Sequence, residues 1–221
     1  MDHLTNDDIR DAGLAEWRTL AQRLHTRYRV ADANAAAALL SDAVSVASEA
    51  SLTAHLEATL AEGRLDLRVA TDEGPGGVWL TDDDVRLARV LSEVATRHGA
   101  VAAPGEVTQV EMGLDTARRD SLAPFWGVVL TGTTDGVVDD SVFDPTNRTS
   151  SIWFQETEPH ETPRQRWHPD VWVPPEVADE RIASAVAAGG TVVDDSEAPS
   201  FTVLADAEGN RVCVCTVLDR A

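Results

Sequence analysis

Lysine is absent from this chain: all 18 basic residues are arginine, against 38 acidic ones, giving a net charge of -20 over 221 residues. A charge of that sign and size repels phosphate backbones and anionic membranes, so nucleic acid and lipid surfaces are excluded as partners. The acidic surface serves solubility, or a cationic partner. Cysteine is nearly absent as well. Cys213 and Cys215 stand two apart, on one face of a strand, where a strain-free disulfide seldom forms. That spacing reads as small apolar fillers rather than as a disulfide scaffold. No apolar run approaches the roughly 20 residues that span a bilayer. The opening Met1-Asp2-His3-Leu4-Thr5-Asn6-Asp7-Asp8 is acidic and polar, unlike a secretory signal, which predicts a cytosolic chain.

What is present divides into two halves of α+β character. Gly99 stops a helix, small residues follow, and Pro104-Gly105 precedes a new strand, so domains are expected at 1–100 and 106–221. In the first half, Thr5 and Asp8 open a helix in which Leu14, Trp17, Leu20, Ala21 and Leu24 recur at helical spacing. His25 to Val30 reads as extended. A second helix runs from Asn34 to about Ser51. Arg64 to Val69 alternates strictly, which turns Leu65, Leu67 and Val69 toward a core. Gly74-Pro75-Gly76-Gly77 makes a turn. Thr81 with Asp84 then opens a third helix that carries Val85, Leu87, Ala88 and Leu91 on one stripe.

The second half repeats a pattern. A strand at Val107–Gly113 is followed by a helix over Ala117–Leu130 and a strand at Ile152–Glu156. The sequence restarts with a strand at Arg166–Val173 and a helix over Glu176–Ala188, closed by Gly189-Gly190. Strands at Thr191–Val193, Phe201–Leu204 and Arg211–Val217 complete it. Two such units in tandem predict a pseudo-symmetric sheet around a cleft.

The first half resembles the pterin-4α-carbinolamine dehydratases. Leu52-Thr53-Ala54-His55-Leu56-Glu57 stands at that family's His-His-Pro element, and Val69-Ala70-Thr71-Asp72-Glu73 at its Thr-His-Asp strand end. Gly76-Gly77-Val78-Trp79-Leu80-Thr81, followed by Asp82-Asp83-Asp84, stands at its Gly-Gly-Leu-Thr-x-x-Asp turn. The resemblance implies three helices on a small antiparallel sheet. Dehydrating a carbinolamine needs a proton donor for the departing hydroxyl and a base, which the family builds from histidines. Here the first histidine is Ala54, the second is His55, and the strand-end histidine is Asp72. The implied catalytic residues are therefore His55 and Asp72 in a degenerate site that binds a pterin-like heterocycle or serves to dimerise the chain. The alternative reading of His55 is a partly exposed helix-end histidine favoured by the helix dipole.

The second half resembles the glyoxalase-like branch of the vicinal oxygen chelate superfamily. The segments that carry this are Arg119–Leu130, Arg166-Trp167-His168-Pro169-Asp170 and Leu204–Cys213, the last matching an Asp-Pro-x-Gly-Asn hairpin. Paired βαβββ modules are implied. By register, the family's metal-ligand positions fall on Gln109, Gln155, His168 and Cys213, while Glu111 and Asp170 share the same strand faces. One imidazole, two amides and a thiol are an unusual set for a divalent ion. The expectation is a metal-free cleft, no cofactor being required, lined by Gln109, Glu111, Trp153, Gln155, His168, Asp170 and Cys213. His168, Gln109 and Glu111 are the candidate ligands should a divalent metal bind. Trp153, Trp167 and Trp172 are core residues singly, or as a set a wall for a flat ligand. His3, His25, His98 and His160 carry no assigned role. Three functions follow: a small-molecule-binding protein, an active dehydratase, or a metal-dependent glyoxalase- or dioxygenase-type enzyme using the second half. A homo-oligomer is implied by the dehydratase resemblance.

Overall fold

A computed structural model describes residues 2–74, 77–131, 134–144, 149–158, 167–187, 190–205 and 211–220. The chain divides into one unit of Met1–Asp72, Val78–Val107 and Arg220–Ala221, and a second of Glu73–Gly77 and Thr108–Asp219.

The first unit contains α1 (Asn6–Asp11), β1 (Arg18–Leu20), β2 (Arg23–Arg29), α2 (Ala33–Glu49), β3 (Leu56–Ala61) and β4 (Arg64–Val69). It continues with β5 (Thr71–Asp72), β6 (Val78–Trp79), α3 (Asp82–Arg97) and β7 (Val101–Ala102). An antiparallel sheet in the order β1-β2-β4-β3, with β7 also paired to β2, carries the helices. The alternation along β4 buries Leu65, Leu67 and Val69 against Leu39, Ala43 and Ala47 of α2 and Leu87, Leu91 and Val94 of α3. Thr81 and Asp84 form a reciprocal capping box at the start of α3. Gly99 ends that helix at φ 64°, with Ala100 N–H donating to Ala95 O.

The first helix is shorter than its spacing predicts. It stops at Asp11, and Leu20 and Leu24 belong instead to a hairpin that turns at Ala21, φ 51°. Gly13, at φ 66°, breaks the helix. The same apolar residues are then buried at strand positions, with Leu24, Thr26 and Tyr28 facing the core.

The second unit contains β8 (Gln109–Thr116), α4 (Arg119–Thr131), β9 (Val137–Val138), β10 (Ser141–Val142) and β11 (Ile152–Glu156). Then follow β12 (Trp167–Trp172), α5 (Pro175–Ala187), β13 (Thr191–Asp194), β14 (Phe201–Ala205) and β15 (Arg211–Cys215). These are two βαβββ modules in one sheet of order β13-β14-β15-β12-β8-β11-β10-β9. Outward from the central antiparallel pair β8–β12, each module runs first, fourth, third, second strand. One sheet face is covered by helices. Leu114, Ile152 and Phe154 pack with Ala123, Leu122 and Trp126 of α4, and Val173, Leu204 and Val214 pack with Ala178 and Ile182 of α5. Strand alternation sends the intervening residues to the other face. The Asp206–Asn210 hairpin, the Pro75-Gly76 part of the glycine turn, Ala188-Gly189, His160 and Arg166 lie outside the described residues.

Candidate functional site

In the second unit the sheet face away from α4 and α5 gathers most of the residues singled out from sequence. Its composition follows from register. Glu111, Asp170 and Cys213 are directly paired across β8, β12 and β15, and one pleat along, Trp153, Gly113 and His168 are paired across β11, β8 and β12. Gly113 is the gap in this array. A Cβ added there would overlap the His168 imidazole, so the ring lies over the glycine. Without a side chain between them, Trp153 and His168 meet edge to face at 5.6 Å.

Two indole N–H groups hold the carboxylates. Trp153 Nε1 donates to Asp170 Oδ2 and Trp172 Nε1 to Glu111 Oε2, both at 2.6 Å. Glu111 and Asp170 are buried, so such charge-assisted bonds offset part of their desolvation. His168 stands between two acids, with Nδ1 3.7 Å from Asp115 Oδ1 and Nε2 3.4 Å from Asp170 Oδ1. A nitrogen of His168, a carboxylate oxygen of Asp170 and the Cys213 sulfur all lie within 4.8 Å of one another.

The donor set and spacing of that trio bear on a metal ion. The 3.4 Å between His168 Nε2 and Asp170 Oδ1 is long for a charged hydrogen bond, yet close to the roughly 3.3 Å edge of a tetrahedron built from zinc–nitrogen and zinc–oxygen bonds. One neutral imidazole, one carboxylate and one thiolate balance a divalent charge. The residues fit a borderline-soft ion such as zinc, and would leave a position open.

The remaining sequence candidates are placed differently. Gln109 pairs with Trp172 rather than with His168. It stands four residues, ~13 Å, along β8 from the position opposite His168. Its amide donates to Val110 O at 3.4 Å. Gln155 is exposed one pleat beyond Trp153, paired with Asp115. Glu111 lies level with Asp170 but is engaged by Trp172 and falls outside the converging trio. Trp167 points to the opposite face, packed edge-on against Trp126 at 4.9 Å. Neither cysteine is in a disulfide. Cys213 joins the trio, while Cys215 is buried one pleat away. Sequence reasoning missed Gly113 and Asp115, and it named Trp172 only as one of a tryptophan set, not as the partner of Glu111. Only Gly113 carried a signal, since glycine inside a strand marks a close approach.

A cavity of about 450 Å³ opens elsewhere in this unit, at the ends of β8 and β11 and the start of α4, with Arg118, Arg119, Phe154 and Glu156 among its walls. None of the sequence-chosen site residues lines it.

In the first unit, His55 does not end α2 but is the last residue of a short 3-10 helix, Thr53–His55. Ser51, at φ 61°, closes α2 with Leu52 N–H donating to Ala47 O, and His55 follows in a separate short turn. Its side chain is 14% exposed and its Nδ1 lies 2.8 Å from Asp84 Oδ1 and 3.0 Å from Thr71 Oγ1. Asp84 is wholly buried. Its Oδ2 accepts from Thr71 Oγ1, Thr81 N and Thr81 Oγ1 at 2.8, 2.8 and 2.9 Å. The carboxylate assigns the Nδ1 proton, which leaves Nε2 as the basic nitrogen of the neutral ring. Asp72 is exposed and follows Thr71 on β5, where alternation sends adjacent side chains to opposite faces. The partner that the structure gives His55 is thus Asp84, which the sequence marked only as a helix cap.

Residues 111–215 match the family model of the glyoxalase-like domain. The glyoxalase-like segment contains both βαβββ modules from Glu111 to Cys215, including His168, Asp170 and Cys213. A crystal structure of a transcriptional coactivator/pterin dehydratase from Brucella melitensis is similar to the N-terminal part. It is 21% identical, covers 42% of this chain and 99% of its own, and has a TM-score of 0.38. No curated protein matches the chain. Among the described residues no helix is long and apolar enough to cross a membrane.

Proposed function

We propose that the chain is a two-domain small-molecule-binding protein. Residues 1–100 form a dehydratase-like domain, and residues 106–221 form a glyoxalase-like domain that carries the principal site. The ligand binds the helix-free sheet face beside Trp153 and His168, with a divalent cation held by His168 and Asp170. The observation behind this reading is the convergence of His168, Asp170 and Cys213 within 4.8 Å on that face. A bound cation would polarise an oxygen of the ligand. The chain's own groups orient it: Trp153 fixes Asp170, and Gly113 admits the imidazole. The protein acts in the cytosol, on neither nucleic acid nor membranes, and its first domain associates chains.

The test is metal analysis of the purified protein, then calorimetric titration of chelator-treated protein with zinc. One equivalent is expected to bind, and His168→Ala should weaken it roughly tenfold or more. A wild-type protein that takes up no zinc would sink the cation part of the reading.

The His55–Asp84 pair favours a second reading, in which the first domain retains dehydratase chemistry on a pterin carbinolamine. His55 Nε2 would exchange the proton, with Asp84 as its positioning residue. Turnover lost in His55→Ala supports it; equal turnover in wild type and variant rules it out.

A further inference from the structure

We infer that Cys213 is a sulfur ligand that makes the His168–Asp170 pair a thiophilic metal site, with one position left open for an anionic oxygen or sulfur donor on the ligand. This rests on the cation-binding reading of the same sheet face and adds to it the ion class and the third donor.

Three observations carry it. Cys213 is the direct Cα partner of Asp170 across β12 and β15, so the two side chains leave the sheet on the same side. Its sulfur lies within 4.8 Å of donor atoms on both His168 and Asp170. The carboxylate paired with Asp170 on its other side, Glu111, accepts from Trp172 Nε1 at 2.6 Å and is not among the converging donors. The third ligand available at this level of the sheet is therefore sulfur.

Sulfur changes which ions are accepted. A site of oxygen and imidazole donors suits magnesium, manganese, iron or zinc about as geometry allows, whereas a thiolate selects zinc, cobalt and cadmium over magnesium and manganese. The Cys213 thiol gives up its proton on binding. With Asp170 this supplies two negative charges, which neutralise a divalent ion in a buried site without recruiting Glu111. Three protein ligands on a tetrahedral ion leave a fourth position to a ligand atom. The edge-to-face Trp153 ring beside His168 gives that ligand an apolar wall.

Cobalt(II) tests this directly, because a thiolate–cobalt bond absorbs in the near ultraviolet and oxygen or nitrogen ligands do not. Chelator-treated full-length protein is titrated with cobalt and then with zinc. The wild type is expected to develop the charge-transfer band with saturation at one equivalent. Zinc should abolish it, and manganese at roughly hundredfold excess should not. Cys213→Ser should lose the band and bind cobalt roughly tenfold or more weakly. Cys213→Asp should bind cobalt without the band, and Cys215→Ala should keep it. Thermal unfolding of each variant without metal confirms that it folds. Cobalt bound by the wild type without the band, or a band that survives in Cys213→Ser, overturns the role of Cys213 and leaves the cation site standing. A wild type that binds neither ion overturns both.

Discussion

Gly113 has a contact that constrains substitution at the site itself. It lies across the β8–β12 pair from His168, and any Cβ there would overlap the imidazole. Gly113→Ala is expected to push the ring aside, cost about 1–3 kcal/mol in urea unfolding, and weaken zinc binding. Unchanged zinc affinity in a folded variant would show that the ring's seat over the glycine is irrelevant to the site. At this scale the sequence was informative about residue type and poor about pairing. Period-2 alternation put Asp170 on the face of His168 and Glu111 on that of Gln109, the resemblance added Cys213, and Trp153 was named only as one of a tryptophan set; the structure has His168, Asp170, Glu111, Trp153 and Cys213 on one face. Which residues stand level with one another depends on strand register, and nothing local in the sequence encodes it. Gln109 and Gln155 were accordingly grouped with His168, although Gly113 and Trp153 are its neighbours across the sheet.

Among the elements, β2 contains a titration buried in the fold. His25 lies in this strand with 5% exposure, and its Nε2 has no hydrogen-bond partner among the described residues. Burial, reinforced by Arg68 and Arg23, lowers its pKa from 6.5 to about 3. The unfolded chain therefore takes up this proton first. The stabilisation from a neutral His25 is complete above about pH 6.5 and is lost as pH falls toward about 3. Urea unfolding at pH 7 and pH 5 should differ by about 2 kcal/mol from this residue alone. His25→Leu should remove that difference, and an unchanged pH dependence in the variant would exclude His25 as its source. Element prediction succeeded where one signal was unambiguous, as in the strict alternation of β4 and the capping box of α3. It failed between Leu14 and Leu24, because Trp17, Leu20 and Leu24 satisfy a helical stripe and also the buried positions of a hairpin. Gly13 stops the helix and was visible in the sequence, whereas the positive φ at Ala21 that turns the hairpin has no sequence signature.

At the scale of the molecule, two units with their own buried cores imply two unfolding events. Scanning calorimetry is expected to resolve two transitions. Zinc should raise only the one that belongs to the glyoxalase-like segment, by mass action on its folded form. A single transition, or an equal shift of both, would contradict this. The two-unit organisation was legible because a helix-stopping Gly99 and Pro104-Gly105 punctuate the chain, and because the βαβββ pattern repeats. The His55–Asp84 bond was not legible, since it joins residues 29 apart that belong to different local patterns.

Asp84 holds two posts at once: it starts α3, and it orients His55 from the same carboxylate. Losing it would strip the helix of its cap and leave the partly buried His55 imidazole without its carboxylate partner. A substitution at Asp84 therefore alters the start of α3 and the seat of the His55 ring together.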